Sequence, residues 1–133
     1  MALSRLVFAA IVVAVTTNFG NSAEVIRKTI DADRTAFLVS TYVLDQKTCR
    51  AGPYPQLSVI GADNGKVTSE LVRSQQDNGD QCAGTLINHL VIDYTPDPGF
   101  RGQDTVKFRV SGARRADGTG HSIRDYRAYL TVQ

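Results

Sequence analysis

Several things are missing from this 133-residue sequence. It has no tryptophan, a single methionine at residue 1, two histidines and two cysteines. Charge of one sign is also missing: 15 basic residues stand against 13 acidic ones, for a net charge of +2. That balance excludes the strongly basic face of a dedicated nucleic-acid binder. No Gly-x-Ser-x-Gly elbow presents a serine nucleophile. No apolar stripe at helical spacing runs through residues 24–133, and there is no internal repeat or low-complexity tract. Apolar residues make up 42% and charged residues 21% of the chain, so it is neither a disordered tail nor a membrane protein.

One long apolar run does occur, at residues 6–15. It follows Arg5 and leads into the small residues Ser22 and Ala23. Ten apolar residues are about half of what a membrane-spanning helix needs. The layout predicts a cleaved export signal over residues 1–23, and the alternative is an uncleaved anchor. No second run follows, so no membrane span is expected. Residues 24–133 are expected to form one domain, periplasmic or secreted. Both cysteines, Cys49 and Cys82, lie in that domain, and an even count in an exported chain predicts one disulfide. A free thiol pair and half a metal site are the competing readings. The spacing is far from C-x-x-C and no histidine lies close by, which disfavours the metal.

Strand signals dominate residues 24–133. Val106, Phe108 and Val110 alternate with Thr105, Lys107 and Arg109, and Tyr126, Ala128, Leu130 and Val132 share one face. The same period-two pattern puts Val67, Ser69 and Leu71 on one face, and Leu86, Leu90, Ile92 and Tyr94 on another. Residues 35–44, 56–61 and 24–30 add three more strands. Asn64-Gly65 predicts a tight hairpin turn with positive φ. About seven short antiparallel strands point to an all-β sandwich.

Residues 94–110 carry Tyr94, Pro96, Phe100, Gly102 and Asp104, followed by the alternating strand 104–110. This arrangement resembles the signature of bacterial immunoglobulin-like and cadherin-like repeat domains. The resemblance covers about half of the expected domain well and implies an immunoglobulin-like β-sandwich. A single copy with a disulfide is expected here, whereas those domains come in arrays and mostly lack one. The motif chemistry is structural. Pro96 is expected to end a strand, Gly102 to permit a backbone conformation closed to other residues, Tyr94 and Phe100 to plug the end of the sandwich, and Asp104 to accept backbone N–H groups in the turn before its strand.

Chemistry-bearing residues are sparse. His89 and Asp93 share a strand face and form a possible base and orienter, with a surface contact the blander reading. Asp117, His121 and Asp125 offer a few metal ligands, and Asp77, Asn78, Asp80, Asp31 and Asp33 form acidic loops without the calcium-loop pattern. No cofactor is expected. Charge is uneven: residues 101–133 hold seven basic and three acidic residues, while residues 24–100 hold seven and ten. Lys107 and Arg109 are expected on the last hairpin, Arg114 and Arg115 in its 111–120 loop, and Tyr54 in a neighbouring loop. These residues predict a non-catalytic binding module for a protein or an acidic envelope glycan or lipid, acting as a monomer or weak homo-oligomer. The alternative is a small exported inhibitor of a protease or lysozyme. An enzyme relying on His89 and Asp93 ranks last.

Overall fold

A computed structural model describes residues 23–77 and 79–133. The expected export signal, apart from Ala23, lies outside the described residues, and so does Asn78. Among the described residues there is no helix. The strands are β1 (Glu24–Ile30), β2 (Ala36–Thr41), β3 (Leu44–Asp45), β4 (Arg50–Ala51), β5 (Gln56–Gly61), β6 (Gly65–Gln75), β7 (Leu86–Pro96), β8 (Gly102–Gly112) and β9 (Ser122–Val132). They form a four-stranded sheet in the order β1-β9-β8-β5, a three-stranded sheet β2-β7-β6 and the small pair β3-β4.

The period-two pattern explains the two layers. Val106, Phe108 and Val110 of β8 and Tyr126, Ala128, Leu130 and Val132 of β9 are all buried. They pack in one cluster with Leu38, Leu90, Ile92 and Tyr94 from the other sheet. Polar residues alternate with them and face solvent, as a sheet with one buried face requires. Phe108 and Tyr126 stack with ring centroids 4.9 Å apart. Each fully buried large side chain contributes about 1.5–3 kcal/mol. On one open side of the sandwich, Lys28 of β1 donates to the Phe37 carbonyl of β2 and lies over the Phe37 ring. This contact covers the seam between the sheets.

The structure departs from the expected pattern at several points. Two strands of only two residues, β3 and β4, join seven longer ones. β1 pairs parallel to β9, so the sheet is not purely antiparallel. The chain between them supplies the long crossover that a parallel pair needs. Leu71 lies opposite Leu90 but is 62% exposed, because β6 is an edge strand that runs beyond the core. Leu86 is likewise exposed at the end of β7, while its neighbour Ile87 is fully buried.

Asn64-Gly65 does not form the expected turn. Neither residue has positive φ, and β5 and β6 belong to different sheets. Glycine is needed at 65 for space: a Cβ there would meet the Tyr94 ring at 2.4–2.5 Å.

Candidate functional site

The two ends of the sandwich differ in chemistry. At one end, Pro96 closes β7 and pairs in register with Gly65. Gly102 opens β8 at φ +132°, a conformation that side chains strongly disfavour. Phe100 packs half-buried against the core. Tyr94 is completely buried, and its hydroxyl donates to Asp104 Oδ2 at 2.6 Å, with the Asn64 carbonyl a second acceptor at 3.2 Å. Asp104 Oδ2 also accepts the Asn64 N–H at 3.1 Å. Burial first, and then the Asp104 carboxylate, push the Tyr94 hydroxyl far above the ordinary tyrosine range. Asp104 thus satisfies a backbone donor as expected, but one that lies 40 residues away in sequence. The Tyr94–Asp104 bond joins β7 of one sheet to β8 of the other, so this end is a latch between the sheets.

The other end is built from loops. A disulfide joins Cys49 to Cys82, with Cα atoms 5.1 Å apart. Asp80 Oδ1 accepts the Cys82 N–H at 2.8 Å, and Asp80 Oδ2 accepts from Gln76 Nε2 at 3.0 Å. The chain turns at Cys49, with φ +55°, into β4, which places Arg50 beside the disulfide. Gly52 then donates to the Val43 carbonyl at 2.8 Å, and its own carbonyl accepts from Asn88 Nδ2 at 2.9 Å. Its missing side chain lets Val43 and Ala116 close in: a Cβ at Gly52 would lie 2.8 Å from Val43 Cγ1 and 3.2 Å from Ala116 Cα. That close approach joins the disulfide loop to the 112–121 loop.

The second loop is folded on itself. Arg115 N–H donates to the Thr119 carbonyl at 3.0 Å, and Gly118 N–H donates to the Arg115 carbonyl at 3.0 Å. Asp117 Oδ1 accepts both the N–H and the hydroxyl of Thr119, at 2.9 and 2.6 Å. Arg50, Arg114 and Arg115 line one depression of about 450 Å³, together with Leu44, Asp45, Thr48, Ala116 and Asp117. Its two carboxylates are engaged by their own loops. Asp45 Oδ1 accepts the N–H groups of Lys47 and Thr48, at 2.8 and 3.3 Å, and those bonds hold its carboxyl below the usual range. The Thr119 bonds, and then Arg115 and Arg50, do the same for Asp117. Arg115 Nη1 also donates to the Thr119 hydroxyl at 3.4 Å, and the three arginines border the depression against two carboxylates.

The expected site residues therefore separate. Arg114 and Arg115 stand together, and Arg50 joins them from the other loop. Tyr54 is half-buried in the connection that precedes β5 and does not line the depression. Lys107 and Arg109 lie on the solvent face of the four-stranded sheet instead. Arg109 grips Asp125 with two bonds, Nε to Oδ1 at 2.7 Å and Nη2 to Oδ2 at 3.2 Å. Arg50 was not singled out from the sequence, although its position next to Cys49 was the available signal.

The other chemistry-bearing residues are occupied in different ways. His89 Nδ1 meets Ser40 Oγ at 3.1 Å, and its ring packs edge-on against Tyr42 at 5.1 Å. No hydrogen bond joins His89 to Asp93 among the described residues. Burial, and secondarily Glu70, raise the Asp93 carboxyl above its usual range. Asp33 Oδ1 accepts the Gly99 N–H at 2.9 Å, and Asp31 pairs with Arg34 at 3.5 Å. Among the described residues, no three His, Cys, Asp or Glu side chains come together as a metal site. No described helix is long and apolar enough to cross a membrane. Comparison with protein-family models, curated proteins and solved structures finds no match for this chain.

Proposed function

We propose that this chain is an exported bacterial binding module, non-catalytic and immunoglobulin-like. It would recognise an acidic group on a protein or envelope component through the loops at its disulfide-bearing end. The observation that carries this reading is the convergence of Arg50, Arg114 and Arg115, from two separate loops, on one depression whose carboxylates are already engaged. Guanidinium groups form paired hydrogen bonds with carboxylates and phosphates, so three of them select a partner by charge and geometry. The disulfide supports export, since such bonds persist in oxidising compartments. It also holds Arg50 in place.

The test is affinity capture from an envelope extract on the oxidised residue 24–133 protein. The Arg114→Ala/Arg115→Ala variant is run beside it, and eluted proteins are identified by mass spectrometry. A partner held by the parent protein and lost by the variant supports the site. A hydrolase among the lost partners that the parent protein also inhibits stoichiometrically favours the inhibitor alternative. Equal capture by both proteins rejects the loop site.

A further inference from the structure

The solvent face of the four-stranded sheet carries a second concentration of positive charge, away from the end loops. Side chains alternate along a strand, so the register fixes which residues share this face. Arg27 of β1 lies opposite Tyr129 of β9, and Arg127 of β9 lies opposite Lys107 of β8. Three cations from three adjacent strands thus surround one phenol. Neighbouring strands are about 4.8 Å apart, so the cluster spans on the order of 10 Å. The Arg27 guanidinium stacks on the Tyr129 ring, 4.6 Å from its centroid. Arg127 Nη1 donates to the Tyr129 hydroxyl at 3.5 Å, while Arg127 Nε is buried with no hydrogen-bond partner.

Among the described residues, no carboxylate forms an ion pair with these three cations. The ion pairs among the described residues are Arg34–Asp31, Arg109–Asp125 and Arg124–Glu24. Asp125, the one carboxylate this face draws from β9, is taken by both Arg109 bonds. Tyr129 registers the resulting field. Its hydroxyl is pulled below the ordinary tyrosine range, first by the bond from Arg127 and then by the charges of Arg127, Arg27 and Lys107. Like charges on neighbouring strands repel, and a buried guanidinium N–H without a partner is costly. Anion binding relieves the repulsion.

The surroundings narrow the class of anion. Thr29, Gln103, Thr105 and Thr131 line a shallow depression of about 340 Å³ beside Tyr129. Their hydroxyl and amide groups suit sugar hydroxyls. The face of Tyr129 is already covered by Arg27, so the patch lacks the open aromatic anchor on which protein partners rely.

We propose that this sheet face binds an acidic polysaccharide. Its uronate carboxylates dock on Arg27, Arg127 and Lys107, and the threonines and Gln103 take its hydroxyls. Planar guanidinium forks match carboxylates two bonds at a time. Carboxylates repeating along an extended chain match cations repeating across strands. The surface shares no residue with the loop depression, so the two stand or fall separately.

The probe is polygalacturonate, titrated calorimetrically into the oxidised protein. Neutral dextran, dextran sulfate, and phosphatidylglycerol–phosphatidylcholine vesicles serve as comparisons. Expected is saturable binding to polygalacturonate that weakens as salt rises, and none to neutral dextran. Arg27→Gln with Arg127→Gln weakens it at least tenfold. Lys107→Gln, at an exposed side chain that leaves the core untouched, weakens it severalfold. Arg114→Ala/Arg115→Ala leaves it unchanged. The proposal is overturned if polygalacturonate does not bind, or if both glutamine variants bind it as the parent does. Stronger binding to dextran sulfate or to the vesicles also overturns it, as does loss of binding in the loop variant.

Discussion

Replacing Tyr94 with phenylalanine isolates the latch at the closed end of the sandwich. The ring is fully buried and keeps all its carbon contacts, so the change opens no cavity. What disappears is the hydroxyl bond to Asp104 Oδ2 at 2.6 Å, a length typical of a bond to an ionised oxygen. Bonds of that kind contribute about 1.5–3 kcal/mol. Asp104 keeps the Asn64 N–H at 3.1 Å, so the buried acceptor is weakened rather than abandoned. The expected loss is about 2 kcal/mol, which lowers Tm by roughly 7–10 °C in a domain of this size. Urea unfolding of the oxidised protein measures it, with the midpoint falling and the m-value unchanged. Alkali adds an independent readout. The folded Tyr94 hydroxyl ionises far above the ordinary value of about 10, so its contribution is complete below pH ~10 and is lost as pH rises beyond it. In Tyr94→Phe that part of the alkaline slope disappears. A loss below about 0.5 kcal/mol, within the range of ordinary surface changes, together with an unaltered alkaline slope, would refute the reasoning.

Three further outcomes are expected. Cys49→Ser with Cys82→Ser opens a loop of 33-residue separation and costs about 3–4 kcal/mol, read as a lower urea midpoint than the oxidised parent. The Arg109 fork holds the Asp125 carboxyl below the usual range. Its contribution is therefore present above the ordinary aspartate value and fades as pH falls through the depressed one. Arg109→Ala moves the Asp125 titration upward, and side-chain carboxyl NMR detects the shift. Gly65→Ala drives a methyl into the Tyr94 ring and costs about 1–3 kcal/mol, seen by thermal unfolding.

Much of the sandwich was legible because strands with one buried face write their period into the sequence. The even-numbered residues of 106–110 and of 126–132 are the clearest cases, and all of them are buried. The pattern says which face turns inward but not how far the opposite sheet extends. Leu71 and Leu86 were therefore placed inward, yet they project past the core. Nor does it say which strands pair, so the parallel β1–β9 pair and the sheet change at Asn64-Gly65 stayed hidden. The cysteine pairing followed from counting. The loop cluster was half legible: Arg114 and Arg115 are adjacent in sequence, whereas Arg50 reaches them only because Gly52 lets the loops touch. The sheet-face cluster was hidden for the same reason. Arg27, Lys107 and Arg127 lie on three strands whose neighbour relations only the topology supplies.

A division of labour between the two ends is tested most directly by measuring partner capture and urea unfolding side by side on two variants. Arg114→Ala/Arg115→Ala should lose capture and unfold within about 0.5 kcal/mol of the parent, because both side chains are exposed. Tyr94→Phe should lose about 2 kcal/mol and still capture fully at temperatures where it remains folded. The contradicting result is the reverse: a loop variant that still captures, or a folded Tyr94→Phe protein that does not.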